Sequence, residues 1–341
     1  VGYAYSTDGG FTWAGSEQLG TVAWGSDPAV ALDASGNAYY AYLEDLGYCD
    51  PYADNWALRV KKSTNAGKTW SSTIDIPNYG SPDKEHMVVD GNNVYVAWTD
   101  FLNCDPACSN APFQVKFSHS TDAGTSFTTL ATPISGSTIP SSSGAFGQGV
   151  NLAVGPNGYL YAVWAVYNNF CTSSYENAIG FNYSTDHGAN WQTATTILNI
   201  QGIRADWTNK NPTGSPIRVN SFPSMSVDRS GGANNGYIYV VWADRRYDHS
   251  DVLLSRSTNG GSAWSIPIRV NQDQQANGKD QWFPWVTVNP DGVINVVFYD
   301  SRNDPNNRLT ETWVAQSIDG GITFRDYKAS DVSFTPTPIA G

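Results

Sequence analysis

Six copies of one eight-residue motif, Ser-Thr/Ile-Asp/Asn-x-Gly-x-x-Trp/Phe, punctuate this chain. They read STDGGFTW at 6–13, STNAGKTW at 63–70, STDAGTSF at 120–127, STDHGANW at 184–191, STNGGSAW at 257–264 and SIDGGITF at 317–324. The serine-to-serine steps are 57, 57, 64, 73 and 60 residues, a period that marks one supersecondary unit used repeatedly. A chain of 341 residues could hold two or three ordinary domains, but the repeats argue for one assembly of similar modules.

Between motifs the same segments return. A short apolar run ending in a turn comes first: PAVALDASGN, HMVVDGNN, NLAVGPNG, SMSVDRSGG and VTVNPDG. An alternating strand follows: YYAYLE, YVAWTD, YAVWAV, YVVWAD and NVVFYD. After a variable loop a third strand runs into the motif, and a fourth leaves it. Four antiparallel strands, here A to D, repeated around an axis make a β-propeller blade. Complete blades are expected at about 27–76, 84–134, 149–198, 222–271 and 281–330. Residues 1–19 supply only strands C and D of a sixth blade, and the tail 331–341 is too short for its A and B. The expected fold is therefore all-β, a six-bladed propeller forming a single domain with one blade incomplete. Exposed strand edges are avoided in native proteins, so external strands or a further chain segment are expected to complete the ring.

The motif resembles the Asp box, or bacterial neuraminidase repeat, of the sialidase-like β-propeller superfamily, and the resemblance covers nearly the whole chain. In that family the box lies on the C–D turn, away from the substrate site. The resemblance thus implies that the box residues are structural: Ser and Asp/Asn bond turn backbone, Gly takes a left-handed conformation, and the aromatic packs under the blade.

Composition agrees with a turn-rich all-β chain: aromatic residues make up 13%, charged residues only 15%. The net charge of −12 and the lack of any Lys/Arg run exclude nucleic acid as an expected partner. No apolar stretch approaches the roughly 20 residues that span a bilayer. The opening VGYAYS reads as the inside of a strand, so a missing leader carries no weight. Cys49, Cys104, Cys108 and Cys171 lie in polar loops, which points to disulfides and an extracellular setting. All four fall in B–C loops of three consecutive blades. Cys49–Cys104 with Cys108–Cys171 would staple neighbours, and Cys49–Cys108 with Cys104–Cys171 is the rival pairing.

Antiparallel alternation places the long, varied B–C and D–A loops together on one face, which is where function is expected. The ends of the B strands bring Glu44, Asp100, Val166, Asp244 and Asp300 to that face. Arg245 and Arg246 follow Asp244, and Arg302 follows Asp300; Arg204, Arg218, Arg308, Lys84 and Lys279 lie in related loops. Arginine clusters clamp carboxylates in pairs, and an acid with a raised pKa can donate a proton. The competing expectation is that Asp244–Arg245 and Asp300–Arg302 are structural ion pairs. Two steps earlier Tyr42, Trp98, Trp164, Trp242 and Phe298 form an aromatic layer, expected in the core.

Two functions are weighed. One is a non-catalytic module for glycan binding, adhesion or surface assembly, with glycans or glycoproteins as partners. The alternative is a sialidase-like exo-glycosidase acting on terminal acidic sugars. The resemblance implies, for the enzyme, an arginine triad, an Asp acid/base and a Tyr nucleophile activated by Glu. No Arg-Ile-Pro or Arg-Leu-Pro element occurs, and Tyr299 and Glu44 have suitable types with nothing to join them. The departures favour the binding module. No cofactor is required. The loops DPYADN and RNDPNN carry donors suited to a structural Ca2+. The four histidines, His86, His119, His187 and His249, form no zinc pattern. Asn182 opens a glycosylation sequon that overlaps one box.

Overall fold

The computed structural model describes residues 2–16, 25–46, 56–77, 80–101, 113–136, 146–167, 175–204, 217 and 219–336. The four cysteines and Arg218 lie outside them, as does the loop DPYADN. Among the described residues there is no helix, and none long and apolar enough to cross a membrane. The strands make five four-stranded sheets and one of two strands.

The two-stranded sheet joins β1 (Tyr3–Tyr5) and β2 (Ala14–Ser16). The next holds β3 (Gly25–Leu32), β4 (Ala38–Asp45), β5 (Trp56–Ser63) and β6 (Ile74–Asp75). Then come β7 (Ser81–Asp90), β8 (Asn93–Phe101), β9 (Gln114–Ser120) and β10 (Thr128–Thr129). The following sheet is β11 (Phe146–Val154), β12 (Leu160–Tyr167), β13 (Ala178–Ser184) and β14 (Thr195–Asn199). The next is β15 (Ser224–Val227), β16 (Ile238–Asp244), β17 (Asp251–Ser257) and β18 (Ile268–Arg269). The last is β19 (Gln281–Val288), β20 (Ile294–Asp300), β21 (Glu311–Ser317) and β22 (Arg325–Lys328). Every sheet is an antiparallel meander in chain order. The first strands touch in succession, β3 on β7, β7 on β11, β11 on β15 and β15 on β19, so they line a common axis.

The repeated motif forms the turn between the third and fourth strands, and its chemistry is the same six times. The serine Oγ accepts the amide of the glycine four residues on, at 2.8 Å for Ser6–Gly10 and 2.9 Å for Ser63–Gly67, Ser120–Gly124, Ser184–Gly188, Ser257–Gly261 and Ser317–Gly321. The same hydroxyl donates to the Asp or Asn two residues on, whose Oδ1 takes the amide four residues further. The hydroxyl of Ser126, with that of Ser120, holds the Asp122 carboxyl down to about 2. Asn182 is buried and donates to the carbonyls of Ile134 and Gln192, so the sequon is occupied by core hydrogen bonds.

The turn also docks its sheet on the one before. A Cβ on Gly188 would stand 2.6 Å from Phe117 of the preceding sheet, and one on Gly261 2.3 Å from Phe181. Both glycines have left-handed φ, 86° and 92°, so conformation and space each demand glycine. The motif aromatics complete the joint: Trp191 meets Phe117 edge-on at 5.0 Å and Trp264 meets Phe181 at 5.4 Å. The expected aromatic layer is core, since Tyr42, Trp98, Trp164, Trp242 and Phe298 are all buried. Gly147 and Gly180 flank the Trp164 indole so closely that a Cβ on either would fall within 2.7 Å of it.

Two substitutions test this joint. Ser257→Ala removes a buried acceptor from the Gly261 amide and should lower stability by about 1–2 kcal/mol. Gly261→Ala should cost about 1–3 kcal/mol through overpacking against Phe181. Urea denaturation followed by tryptophan fluorescence reads both; an unchanged midpoint for Gly261→Ala would contradict the docking role.

Candidate functional site

Register decides which ends of the sheets meet. The last residues of the second strands face the first residues of the first strands, as in Glu44 opposite Gly25, Asp100 opposite Pro82 and Asp300 opposite Gln281. The motif serines pair with the opposite ends of those second strands, as Ser184 does with Leu160. Glu44, Asp100, Asp244 and Asp300 therefore share the end away from the motif turns.

What these acids bond is mostly arginine. Asp244 is fully buried; its carboxylate accepts Arg246 Nε at 2.9 Å and Nη2 at 2.6 Å, with the Trp242 indole N–H at 2.9 Å. Asp300 is likewise buried and accepts Arg302 Nε at 2.7 Å, while Arg302 Nη2 also reaches Asp326 at 2.6 Å. The Arg302 guanidinium lies 3.8 Å over the Trp313 ring, and Arg245 lies 4.2 Å over Tyr175. Glu44 binds Arg59 Nε at 2.7 Å. Asp100 is buried against Gly80, where an added Cβ would collide with its carboxylate. In both Asp-Arg strand ends the planar fork is used inside the protein, with Arg246 rather than Arg245 as the partner of Asp244.

A different set of residues surrounds open space. The first strands carry a repeated irregularity that local sequence reading did not expect. Register slips by one residue between Ser26 and Ala29, Asp83 and His86, Gln148 and Asn151, and Trp282 and Trp285. Each is a β-bulge, two residues standing opposite one. The residue opposed is a member of the aromatic layer: Tyr42, Trp98, Trp164 or Phe298. The first bulge residue has left-handed φ in all four: 45° at Asp27, 54° at Lys84, 69° at Gly149 and 49° at Phe283. Only one is glycine. A bulky residue held there is strained by about 1–3 kcal/mol, and such strain gathers at functional sites.

The bulges open onto an axial cavity of about 580 Å³. Its walls include Asp27, Lys84, Glu85, His86, Phe222, Phe283 and Trp285, and no arginine is among the described residues that line it. Lys84 Nζ lies 2.6 Å from Asp27 and 3.5 Å from Asp83. The second oxygen of Asp83 accepts Gln148 Nε2 at 2.8 Å. His86 accepts the Leu152 amide on Nδ1 at 3.1 Å, and its ring lies 5.8 Å from that of Trp285. Glu85 is only 8% exposed, and its buried carboxyl oxygens take no hydrogen bond from another residue. A signal for two of the bulges was present in the sequence: Pro28 and Pro284 stand at matching places in the repeat, and proline inside a strand marks a bulge.

Electrostatics divides these acids. Burial, reinforced by the Asp27 and Asp83 carboxylates, pushes Glu85 from its ordinary 4.5 up to about 9. Burial works on Asp27 in the same sense, but the Lys84 hydrogen bond and charge hold it below the usual range. Burial raises Asp83 against the pull of Lys84. Desolvation lowers His86 to about 4, consistent with a neutral ring whose Nδ1 is an acceptor.

Other expected chemistry falls elsewhere. Tyr299 does not pair with Glu44; among the described residues the hydrogen bond from a tyrosine to a glutamate is Tyr167 to Glu176, at 2.9 Å. Tyr167 is buried and its phenol is raised well above the ordinary value, by burial and then by Glu176. In the loop RNDPNN the carbonyls of Asp304 and Pro305 meet the Lys279 ammonium, and the Asp304 carboxylate takes the amides of Asn306, Arg308 and Leu309. Among the described residues no group of three or more His, Cys, Asp or Glu side chains is placed to hold a metal.

Two measurements follow. Asp300→Ala leaves the Arg302 charge buried with one partner fewer and should destabilise by about 3–5 kcal/mol in chemical denaturation. Glu85 has a folded pKa raised above its unfolded one. Its contribution is thus fully present below pH 4.5 and is lost as pH rises toward about 9. The melting temperature of the wild type should fall across that window, and Glu85→Gln should flatten the fall; parallel profiles would contradict the burial of Glu85.

No protein-family model matches the chain, and no curated protein matches it in sequence. Among solved structures it is similar to the Hadza microbial sialidase Hz136, with a TM-score of 0.55 and 14% identity over 91% of this chain and 59% of that one. It therefore spans less than two thirds of that sialidase. The intramolecular trans-sialidase from Ruminococcus gnavus, solved with oseltamivir carboxylate, gives 0.56 and 13% identity over 91% and 85%. An ulvan lyase of a polysaccharide lyase family gives 0.52 and 9% over 88% and 72%. Sheets, connections and turns of this kind, shared at such low identity, speak for architecture alone. The chain folds as a sialidase-like β-propeller.

Proposed function

We propose that this chain is a non-catalytic glycan-binding propeller whose ligand sits in the axial cavity. The observation that carries this reading is the set of strained bulges around that cavity, with Phe222, Phe283 and Trp285 on its wall. Phe283 and Trp285 are 45% and 48% exposed there, flat apolar surface of the kind a pyranose ring stacks on. A volume of about 580 Å³ falls within the range of small-ligand pockets. The similar proteins named above act on glycans, which supports a carbohydrate ligand. A site for acidic sugars needs cations to clamp a carboxylate, whereas Arg246 and Arg302 on this face already bind buried aspartates.

One observation favours an enzyme: Asp27 lowered and Glu85 raised on one cavity is the division of protonation that a glycosidase uses. Release of reducing sugar from an oligosaccharide would replace the binding-only reading. We also propose that the protein works outside the cytoplasm, as the four cysteines in polar loops suggest, and that strands beyond β1 and β2 complete the two-stranded sheet. Exposed Trp13, Val30 and Leu32 support the latter, since the corresponding Trp191 and Trp264 are packed on a preceding sheet.

A glycan array followed by calorimetry tests the site. Trp285→Ala should weaken binding about tenfold or more. Phe283→Gly relieves a left-handed φ and should leave stability within about 1 kcal/mol while weakening binding. Unchanged affinity in both variants would place the ligand elsewhere.

A further inference from the structure

We propose that the axial cavity reads the carbonyl of a neutral acylamino sugar, such as an N-acetylhexosamine, through donors on His86 and Asn151. The inference rests on the glycan reading above and names its ligand class. Ala29, His86, Asn151, Ser224 and Trp285 stand at the same place in five successive sheets, each opposite the residue just before a member of the aromatic layer. All five line the cavity and form one level of it.

Three of these side chains make the same bond. Each accepts the amide of the residue after its counterpart in the next sheet: His86 Nδ1 takes the Leu152 N–H, Asn151 Oδ1 that of Met225 and Ser224 Oγ that of Val286, all at 3.1 Å. Their acceptors thus tie neighbouring sheets together, and donors are left over. With Nδ1 an acceptor and burial lowering the ring to about 4, His86 carries its proton on Nε2 near pH 7. Asn151, its Oδ1 fixed by an N–H, leaves both N–H bonds of Nδ2 unspent. Neither nitrogen has a hydrogen-bond partner among the described residues, and neither is sealed from solvent. His86 bonds the residue next to Asn151, so the two donors stand side by side on adjacent strands.

Neutral donors of this kind suit an oxygen that brings lone pairs and no proton. A carbonyl oxygen has two lone pairs, one for each nitrogen. A hydroxyl oxygen brings a proton of its own, whereas the acceptors at this level are already committed to amides. A carboxylate would find no cation to clamp it. Lys84 is bonded to ionised Asp27 at 2.6 Å and faces Asp83 at 3.5 Å, and no arginine is among the described lining residues. Trp285, on the same level, presents a ring that is 48% exposed and 5.8 Å from that of His86. It offers the methyl of an acetamido group apolar surface to cover.

Calorimetry on the full chain at pH 7 tests this with three probes: N,N′-diacetylchitobiose, cellobiose, which has hydroxyls in place of the acetamido groups, and sialyllactose, which adds a carboxylate. The first should bind about tenfold or more tighter than either of the others. His86→Ser and Asn151→Ser keep an acceptor for the neighbouring amide, as Ser224 does at its own position, and remove the nitrogen donors. Each should lower the affinity for diacetylchitobiose toward that for cellobiose. Nitrogen NMR of the wild-type histidines gives a readout without a variant: the His86 Nε2 resonance should carry the proton and should move when diacetylchitobiose is added. If a variant fails to fold, that resonance decides. Equal or tighter binding of cellobiose or sialyllactose would overturn the acylamino proposal and leave the glycan reading standing. A preference that survives both substitutions, or a His86 resonance that the sugar leaves unmoved, would overturn the role of these donors. Failure of all three probes to bind would overturn this proposal, and an empty glycan array beside it would overturn the glycan reading as well.

Discussion

The joint between successive sheets depends on one small interaction, the serine hydroxyl that accepts a glycine amide four residues on. It bends the chain between the third and fourth strands so that two consecutive residues take left-handed φ, as at His187 and Gly188. The bare glycine backbone then lies against an aromatic ring of the preceding sheet. Any side chain at that glycine would push the sheets apart. The motif aromatic, Trp191 or Trp264, closes the contact from the edge. Because each turn holds both its own strands and its neighbour, each successive pair of the five four-stranded meanders shares a buried hydrophobic cluster, and no sheet stands alone.

With the outer turns regular, irregularity is concentrated near the axis. Each bulge in a first strand faces a large buried ring, and the extra residue bends the strand around it. The same bend turns Lys84 and Phe283 toward the cavity. Packing and site are thus two results of one deformation. The left-handed φ at those positions is held in place by the surrounding sheets, which is how a local conformation of higher energy persists in a folded protein.

Charge is distributed by the same logic. Asp244 and Asp300 end second strands deep under the loops, where each takes a guanidinium fork from two residues on. A pair so close in sequence forms with little loss of chain entropy and needs no distant partner. Such pairs brace the loops. Around the cavity the partners come from different sheets, Lys84 with Asp27 and Gln148 with Asp83. There the balance is incomplete, and Glu85 is buried with no hydrogen bond from another residue.

The sequence by itself determined the repeat, the strand order within each sheet, the structural character of the motif and the burial of the aromatic layer. All of these are written in short periodic stretches, because turn chemistry and strand alternation act over a few residues. It also placed Glu44, Asp100, Asp244 and Asp300 at one end of the sheets, since antiparallel register follows from strand order. Only the tertiary structure decided that Asp244 and Asp300 bind Arg246 and Arg302 while Glu85 is buried with no bond from another residue, and that the tyrosine beside a glutamate is Tyr167. Those outcomes depend on which groups lose water together. Asp27 and Lys84 stand 57 residues apart in the chain and meet only when two sheets pack around the axis. The prolines at 28 and 284 hinted at two of the bulges, but where the bulged side chains point was settled by the rings they fold around.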